Sequence, residues 1–211
     1  MFAILKKEFK SYFLSPIGYV VIGIFLFVFS VFFYLTVISS PTVDLGALYY
    51  YTALYGLIII APILTMRMFA EERKSGTEQL ILTSPVSMVG VVFGKFIAAM
   101  CVIIITLLVS FMYFFIVKFF GEPNLSAILV HMLGFILVSA AAISIGMFAS
   151  SITENQIIAG IITIANLSIM NFYSYFPRGV ISLKEIIGLT SFTAMFISFT
   201  IIVMQRRKLV K

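Results

Sequence analysis

Charge is what this sequence has least of. Only 10% of its 211 residues are Asp, Glu, Lys or Arg, 62% are hydrophobic, and the mean hydropathy is +1.18. A soluble domain carries about 25% charged residues and about 45–50% apolar ones. No water-soluble core could hide so much apolar surface, so an integral membrane protein is expected. Cysteine and histidine are nearly absent too. The single Cys101 excludes an intrachain disulfide, implies no oxidising compartment, and reads as a small packing residue. The single His131 cannot assemble a His-rich metal site, and a hydrogen bond to a headgroup or to another helix accounts for it. No G-x-x-x-x-G-K-[ST] phosphate loop occurs. With no nucleophile, paired carboxylate or metal cluster, no catalytic site and no cofactor are expected in this chain. The inverted repeats of many secondary transporters are not evident, which argues against that class. No polar stripe recurs across the apolar runs, which disfavours a channel.

What is there is long apolar sequence. Residues 11–43, 45–66 and 96–117 carry no charge, 123–153 carry only His131, and 155–177 and 186–205 are free of ionisable groups apart from tyrosines. A helical span needs about 20 apolar residues to cross a ~30 Å hydrocarbon core. Six spans follow, at 17–38, 48–69, 89–117, 125–150, 156–175 and 185–204. Phe, Ile and Leu dominate without a period of two, which favours helices over a membrane β-barrel. The fold class is therefore all-α, a single domain over 1–211.

Lys and Arg orient it. With six spans both termini share a side with Lys6, Lys7, Lys10, Arg67, Arg73, Lys74, Lys95, Arg206, Arg207, Lys208 and Lys211. The other side holds Lys118, Arg178 and Lys184. An 11 to 3 split places the termini in the cytoplasm. The net charge of +6 then belongs mostly to the inner surface, where anionic lipid headgroups attract it, and does not imply nucleic-acid binding. The first apolar run is too long for a signal-peptide core and lacks a small-residue cleavage site, so the first span is expected to be retained.

Residues 1–14 read as an interfacial amphipathic helix. Phe2, Leu5, Phe9, Tyr12 and Phe13 recur at helical spacing, with Lys6, Lys7 and Lys10 on another face. It either anchors the chain or acts as an elbow that transmits motion from a cytoplasmic partner. Ser15-Pro16 breaks it and Gly18 eases the turn into the first span. The outer loops, 39–47, 118–124 and 176–184, are short. Tyr49, Tyr50 and Tyr51 fit an interfacial aromatic belt. Ala142, Gly146 and Ser150, spaced by four, form a small-residue stripe for close helix packing, within this subunit or against a second copy. Asn166 and Asn171 read as interhelical hydrogen-bonding residues or as lining of a path.

One charged island interrupts the apolar chain. Glu71, Glu72, Arg73, Lys74 and Glu78 fall within eight residues, and each would cost several kcal/mol in lipid, so the segment belongs in water between two spans. Pro62 loosens the second span and Arg67 snorkels at its inner end. Gly76 interrupts the helix, Thr77 caps a new one starting at Glu78, and residues 79–82 give it an apolar side before Thr83-Ser84-Pro85 ends it. An apolar helix between two breakers suggests a docking surface rather than an ordinary solvated loop. Further on, Ser151-Ile152-Thr153-Glu154 has the pattern of a capping box.

Here the sequence resembles the type-2 ABC transporter permeases, most closely the branch associated with bacterial gliding motility. Residues 69–85, Phe-Ala-Glu-Glu-Arg-Lys-Ser-Gly-Thr-Glu-Gln-Leu-Ile-Leu-Thr-Ser-Pro, are similar to the family's F-A-E-E-R-x-x-G-T-x-E-x-L-L-T-x-P, with the acidic residue displaced by one position. Gly94-Lys95 matches an L-G-K motif, residues 150–156 match S-S-L-T-E-N-Q, and Arg178-Gly179-Val180-Ile181 matches R-G-V-I. The resemblance covers nearly the whole chain. The family's longer outer segment before the last span is here reduced to about a dozen residues, 171–182.

The resemblance implies a coupling helix between spans two and three, seated in a groove of a separate ATP-hydrolysing subunit. Its docking residues would be Glu71, Glu72, Arg73, Gly76, Thr77, Glu78, Leu80 and Leu82, with Glu154, Lys6 and Lys7 as further cytoplasmic contacts. An apolar ridge of Leu80 and Leu82 would fill the groove and the flanking charges would fix its register. ATP and Mg would belong to that partner. A second permease subunit, identical or not, would complete the path, in a bacterial cytoplasmic membrane. The apolar bundle and short outer loops suit an amphiphilic or lipid-linked substrate, or a peptide, moved outward. An alternative is a non-transporting anchor or mechanical coupler driven by the ATPase.

Overall fold

In hydrocarbon a backbone must satisfy its own hydrogen bonds, and a charge-free run of Phe, Ile and Leu does so as a helix. The computed structural model describes residues 2–40, 44–83, 86–120, 124–153, 155–165 and 173–209, and among them it is all helical, with no strand. Eleven helices are described: α1 (Phe2–Leu14), α2 (Ile17–Phe33), α3 (Leu45–Tyr51), α4 (Leu57–Thr65), α5 (Ala70–Lys74), α6 (Glu78–Thr83), α7 (Met88–Ser110), α8 (Met112–Phe120), α9 (Leu125–Ile152), α10 (Gln156–Ala165) and α11 (Leu183–Leu209). A π-helical turn, Tyr34–Ile38, continues α2, and another, Thr52–Gly56, joins α3 to α4.

Five of these stretches are long and apolar enough to cross a membrane: Ile17–Ile38, Leu45–Lys74, Met88–Phe119, Leu125–Ile152 and Leu183–Leu209. They coincide with five of the six expected spans, and the protein is a multi-pass membrane protein. The expected span at 156–175 is represented by α10, which is described to Ala165. Its C-terminal end differs from expectation, because Tyr173, Ser174 and Tyr175 are not helical. The amides of Ser174 and Tyr175 go instead to the Glu185 carboxylate. Asn166 and Asn171 lie outside the described residues.

Small side chains decide which helices meet. The Ala142, Gly146 and Ser150 stripe of α9 is buried and faces the second span of the same chain. A Cβ on Gly146 would run into the Thr65 side chain, and Ser150 bonds the backbone at 66–70. Aromatic packing joins α2 to this centre: Phe25 meets Phe135 edge-on at 5.5 Å, and Phe29 meets Tyr49 at 5.6 Å. The Ser30 and Tyr113 hydroxyls share a hydrogen bond between α2 and α8.

One expectation about the ends of the bundle needs correction. Tyr49 is not part of an aromatic belt: it is buried against Phe29 and the His131 ring, and of the three tyrosines Tyr51 is the exposed one. Consecutive helical residues point about 100° apart, so three in a row cannot all face the interface. The N-terminal break falls as expected, with α1 ending at Leu14 and Pro16 at the N-cap of α2. The packed side of α1 includes Ile4, Glu8 and Tyr12, while Phe2, Lys6, Lys7 and Lys10 are exposed.

Candidate functional site

After Thr65 the second span breaks into a turn and restarts as α5, a helix start that leaves backbone amides free. Ser150 of α9 supplies the missing acceptor. Its Oγ takes the amides of Phe69 and Ala70 at 3.1 Å each and donates to the Met66 carbonyl at 3.3 Å. Within α5, Glu71 and Glu72 sit in the first turn and Arg73 and Lys74 in the last, the arrangement that suits the helix dipole. Gly76 ends it with φ +73°, a left-handed conformation that glycine adopts without cost. The Thr77 hydroxyl reaches back to the Glu72 carbonyl at 3.3 Å and to Ser75 at 2.9 Å. Leu80 and Leu82 fall in α6, the short helix that follows.

Neighbouring residues of this segment diverge into two networks. Arg73 donates from Nε to Glu78 at 3.3 Å, from Nη1 to the Ile152 carbonyl at 3.1 Å, and from Nη2 to the Ser151 carbonyl. Ser151 and Ile152 are the last residues of α9, whose final carbonyls lack intrahelical partners, so the guanidinium caps that helix. Glu78 in turn accepts from Arg207 of α11 at 3.2 Å. Lys208 reaches the Val86 carbonyl at 3.3 Å.

Glu72 turns the other way. Its Oε1 accepts from Lys95 of α7 at 2.7 Å, and the same ammonium donates to the Met68 carbonyl at 2.7 Å and to Glu8 of α1 at 3.3 Å. The Lys95 side chain is 2% exposed, so its three donors are matched by three acceptors inside the protein. Nearby, the Tyr12 hydroxyl of α1 donates to the Leu64 carbonyl at 3.1 Å. Burial, and after it the Glu8 carboxylate, push the Tyr12 phenol well above its ordinary value, so it remains a donor at neutral pH.

The docking residues expected from the sequence thus separate into two sets. Glu72, Arg73 and Glu78 point inward, their side chains 13%, 10% and 12% exposed. Glu71, Gly76, Thr77, Lys6 and Lys7 are exposed, with Lys74 beside them. Glu154 lies outside the described residues. Ser151 is still in α9, where its hydroxyl donates to the Phe148 carbonyl, and Asn155 caps α10 by accepting from the Ile157 amide at 2.9 Å. Asn155 is the residue immediately before that helix, which is where a capping side chain is needed.

Sequence reasoning missed Glu8, Lys95 and Arg207 as site residues. Two signals were present: Lys95 is the only charge within α7, and Glu8 is the only acid before Asp44. A carboxylate at the far end of α11 was missed as well. Glu185, 3% exposed, accepts from Ser174 N at 2.7 Å, Ser174 Oγ at 3.0 Å, Tyr175 N at 2.9 Å and Phe176 N at 3.3 Å. It holds a short 3₁₀ turn, Phe176–Arg178, against α9, where His131 Nδ1 donates to the Phe176 carbonyl at 2.7 Å. The interhelical bond expected of His131 is therefore made to this turn.

Among the described residues, no three His, Cys, Asp or Glu side chains converge as metal ligands would. The charged end holds a surface segment on several spans at once. No curated protein matches the chain. Residues 38–186, which include the second span, the segment at 69–83 and Glu185, match the family model described as ABC-2 family transporter protein. As that match covers well over half of its length, the chain belongs to the ABC-2 transporter family.

Proposed function

We propose that this chain is the membrane subunit of an ATP-driven exporter and that residues 69–83 are its coupling segment, docked on a separate ATPase subunit. The observation that carries the reading is the split within that segment. Glu71, Lys74, Gly76 and Thr77 are offered outward, while Glu72, Arg73 and Glu78 are each fixed to other helices. A push on the outer face therefore reaches α1 and α7 through Glu72, α9 through Arg73, and α11 through Glu78. ATP and Mg act in the partner, and a second permease subunit completes the path.

Six crossings, with both termini in the cytoplasm, fit the same geometry. Ile152 lies at the charged end against Arg73, whereas Glu185 lies at the other end of α11 from Arg207, roughly 33 Å away at 1.5 Å per residue. On this reading the chain between α9 and α11 makes one more passage. The excess of Lys and Arg at the charged end supports a cytoplasmic placement, in a bacterial inner membrane. An amphiphilic or lipid-linked substrate, or a peptide, suits so apolar a bundle.

The test is co-purification from gently solubilised native membranes. A stoichiometric partner with a phosphate-binding loop is expected, lost on Leu80→Asp or Leu82→Asp. An ATPase that co-purifies and turns over nucleotide equally well with either variant would remove this reading. Nucleotide-driven motion without flux in proteoliposomes would favour the mechanical coupler.

A further inference from the structure

Lys95 lies about 10 Å into α7 from its first residue, Met88, where a charge is costly unless it is fully paired. It is paired from two separate elements, Glu8 of α1 and Glu72 of α5. Both carboxylates present Oε1 to one ammonium, so without it they are like charges held side by side in a poorly solvated place. The other Glu72 oxygen, Oε2, is buried with no hydrogen-bond partner among the described residues. Lys7 also approaches both carboxylates, at 3.5 Å and 3.9 Å, but its side chain is 68% exposed and it makes ion-pair contact only. The attachment of Glu72 therefore depends on Lys95.

The rest of α1 is fitted to the same place. Ile4, Glu8 and Tyr12 lie on one stripe at i, i+4 and i+8. Ile4 packs so closely on Gly94, the residue before Lys95, that a Cβ there would sit 3.1 Å from it. Tyr12 is tied to the Leu64 carbonyl, just before the turn into α5. Three contacts one helical turn apart hold α1 along α7 and the base of the second span, and the middle one is the shared lysine.

From this we infer that Lys95 is the positioning residue that locks α1 to the coupling segment, so that α1, α5 and the inner end of α7 move as one body when the segment is displaced. The inference rests on the coupling reading above and adds which helix the motion reaches first and through which side chain. It also resolves the choice left open by the sequence of α1, between a passive anchor and a moving elbow, in favour of the elbow.

The experiment uses the full chain in complex with its ATPase, in a Cys101→Ser background, with spin labels at exposed lysine positions. One pair, Lys10→Cys with Lys74→Cys, spans α1 and α5. A second, Lys74→Cys with Lys184→Cys, measures α5 against the opposite end. On adding nucleotide, the second separation is expected to shift while the first does not. In Lys95→Met, the first separation is expected to become nucleotide-dependent while the ATPase still co-purifies. Glu8→Gln, which spares the bonds from Lys95 to Glu72 and Met68, is expected to act in the same direction if Lys95→Met fails to fold. A first separation that shifts in the unmodified protein, or that stays fixed in a folded Lys95→Met, would overturn the lock and leave the coupling reading intact. A second separation that never shifts would remove the coupling reading itself.

Discussion

Replacing Glu185 by Gln and by Ala separates the two things its carboxylate does, accepting hydrogen bonds and carrying a charge. The carboxylate takes four bonds from Ser174, Tyr175 and Phe176, three of them on one oxygen. Gln keeps an acceptor where those three converge, loses the charge that strengthens them, and turns an NH₂ toward the Phe176 amide. Neutral bonds are roughly half as strong as charge-assisted ones, so a loss of about 1–2 kcal/mol is expected. Ala removes every acceptor. The Phe176 amide is buried and would stay unsatisfied at a cost of about 1–3 kcal/mol. The amides of Ser174 and Tyr175, nearer the surface, can recover part of their loss from water, giving a total of about 3–5 kcal/mol.

By the scale for chains of this size, Ala would lower the melting temperature by on the order of 10 °C and Gln by a few degrees. Hydrogen exchange on the peptide covering 173–179 gives the local readout. It should be slow in the unmodified protein, intermediate in Gln and fast in Ala. Equal exchange in all three proteins would refute the role of Glu185 as the acceptor. Gln as damaging as Ala would show that charge, not acceptor geometry, holds the turn.

Two further substitutions probe the junction of α9 with the second span. Gly146→Leu should destabilise by about 1–3 kcal/mol or more, because the added side chain meets Thr65. Pairing it with Thr65→Gly should recover part of the loss in a double-mutant cycle read by thermal unfolding, and strict additivity would mean that the two residues do not touch. Ser150→Ala should cost about 2–4 kcal/mol, since it strips the acceptor from the Phe69 and Ala70 amides. Exchange at α5 should rise in that variant, and unchanged protection there would show that the helix is capped by something else.

Five of the span positions were legible because they depend on one local property, the absence of charge over about 20 residues. The segment at 69–83 was legible for the converse reason, as charges crowded where lipid would reject them. Pairings across distance were not. Lys95 read as one more topology-setting lysine, since nothing in its neighbourhood names Glu8 or Glu72, which lie 87 and 23 positions away. Glu185 read as the first turn of a span, and its partners ten positions upstream become visible only once the chain folds back on itself. Ser151 shows how a local pattern can mislead. Its spacing to Glu154 satisfies a capping rule, but α9 runs on past it and Asn155, one residue before α10, takes the capping role. The stripe through Gly146 announced close packing, and only the fold identified its neighbour as Thr65.

The π-helical turn at Thr52–Gly56 makes the second span two helices in series with slack between them. A π turn accommodates a residue beyond the ordinary α repeat, so it marks a place where length can change by one without unwinding the rod. Removing a single residue there would close the turn into ordinary α-helix, whereas the same deletion in a regular stretch would rotate α3 by about 100° relative to α4. Tyr49 would therefore keep its place against Phe29 and His131, and Thr65, Ser150 and α5 would keep theirs. The span thus has a built-in seam, at which one residue can be lost without disturbing either the packing of α3 or the part that carries residues 69–83.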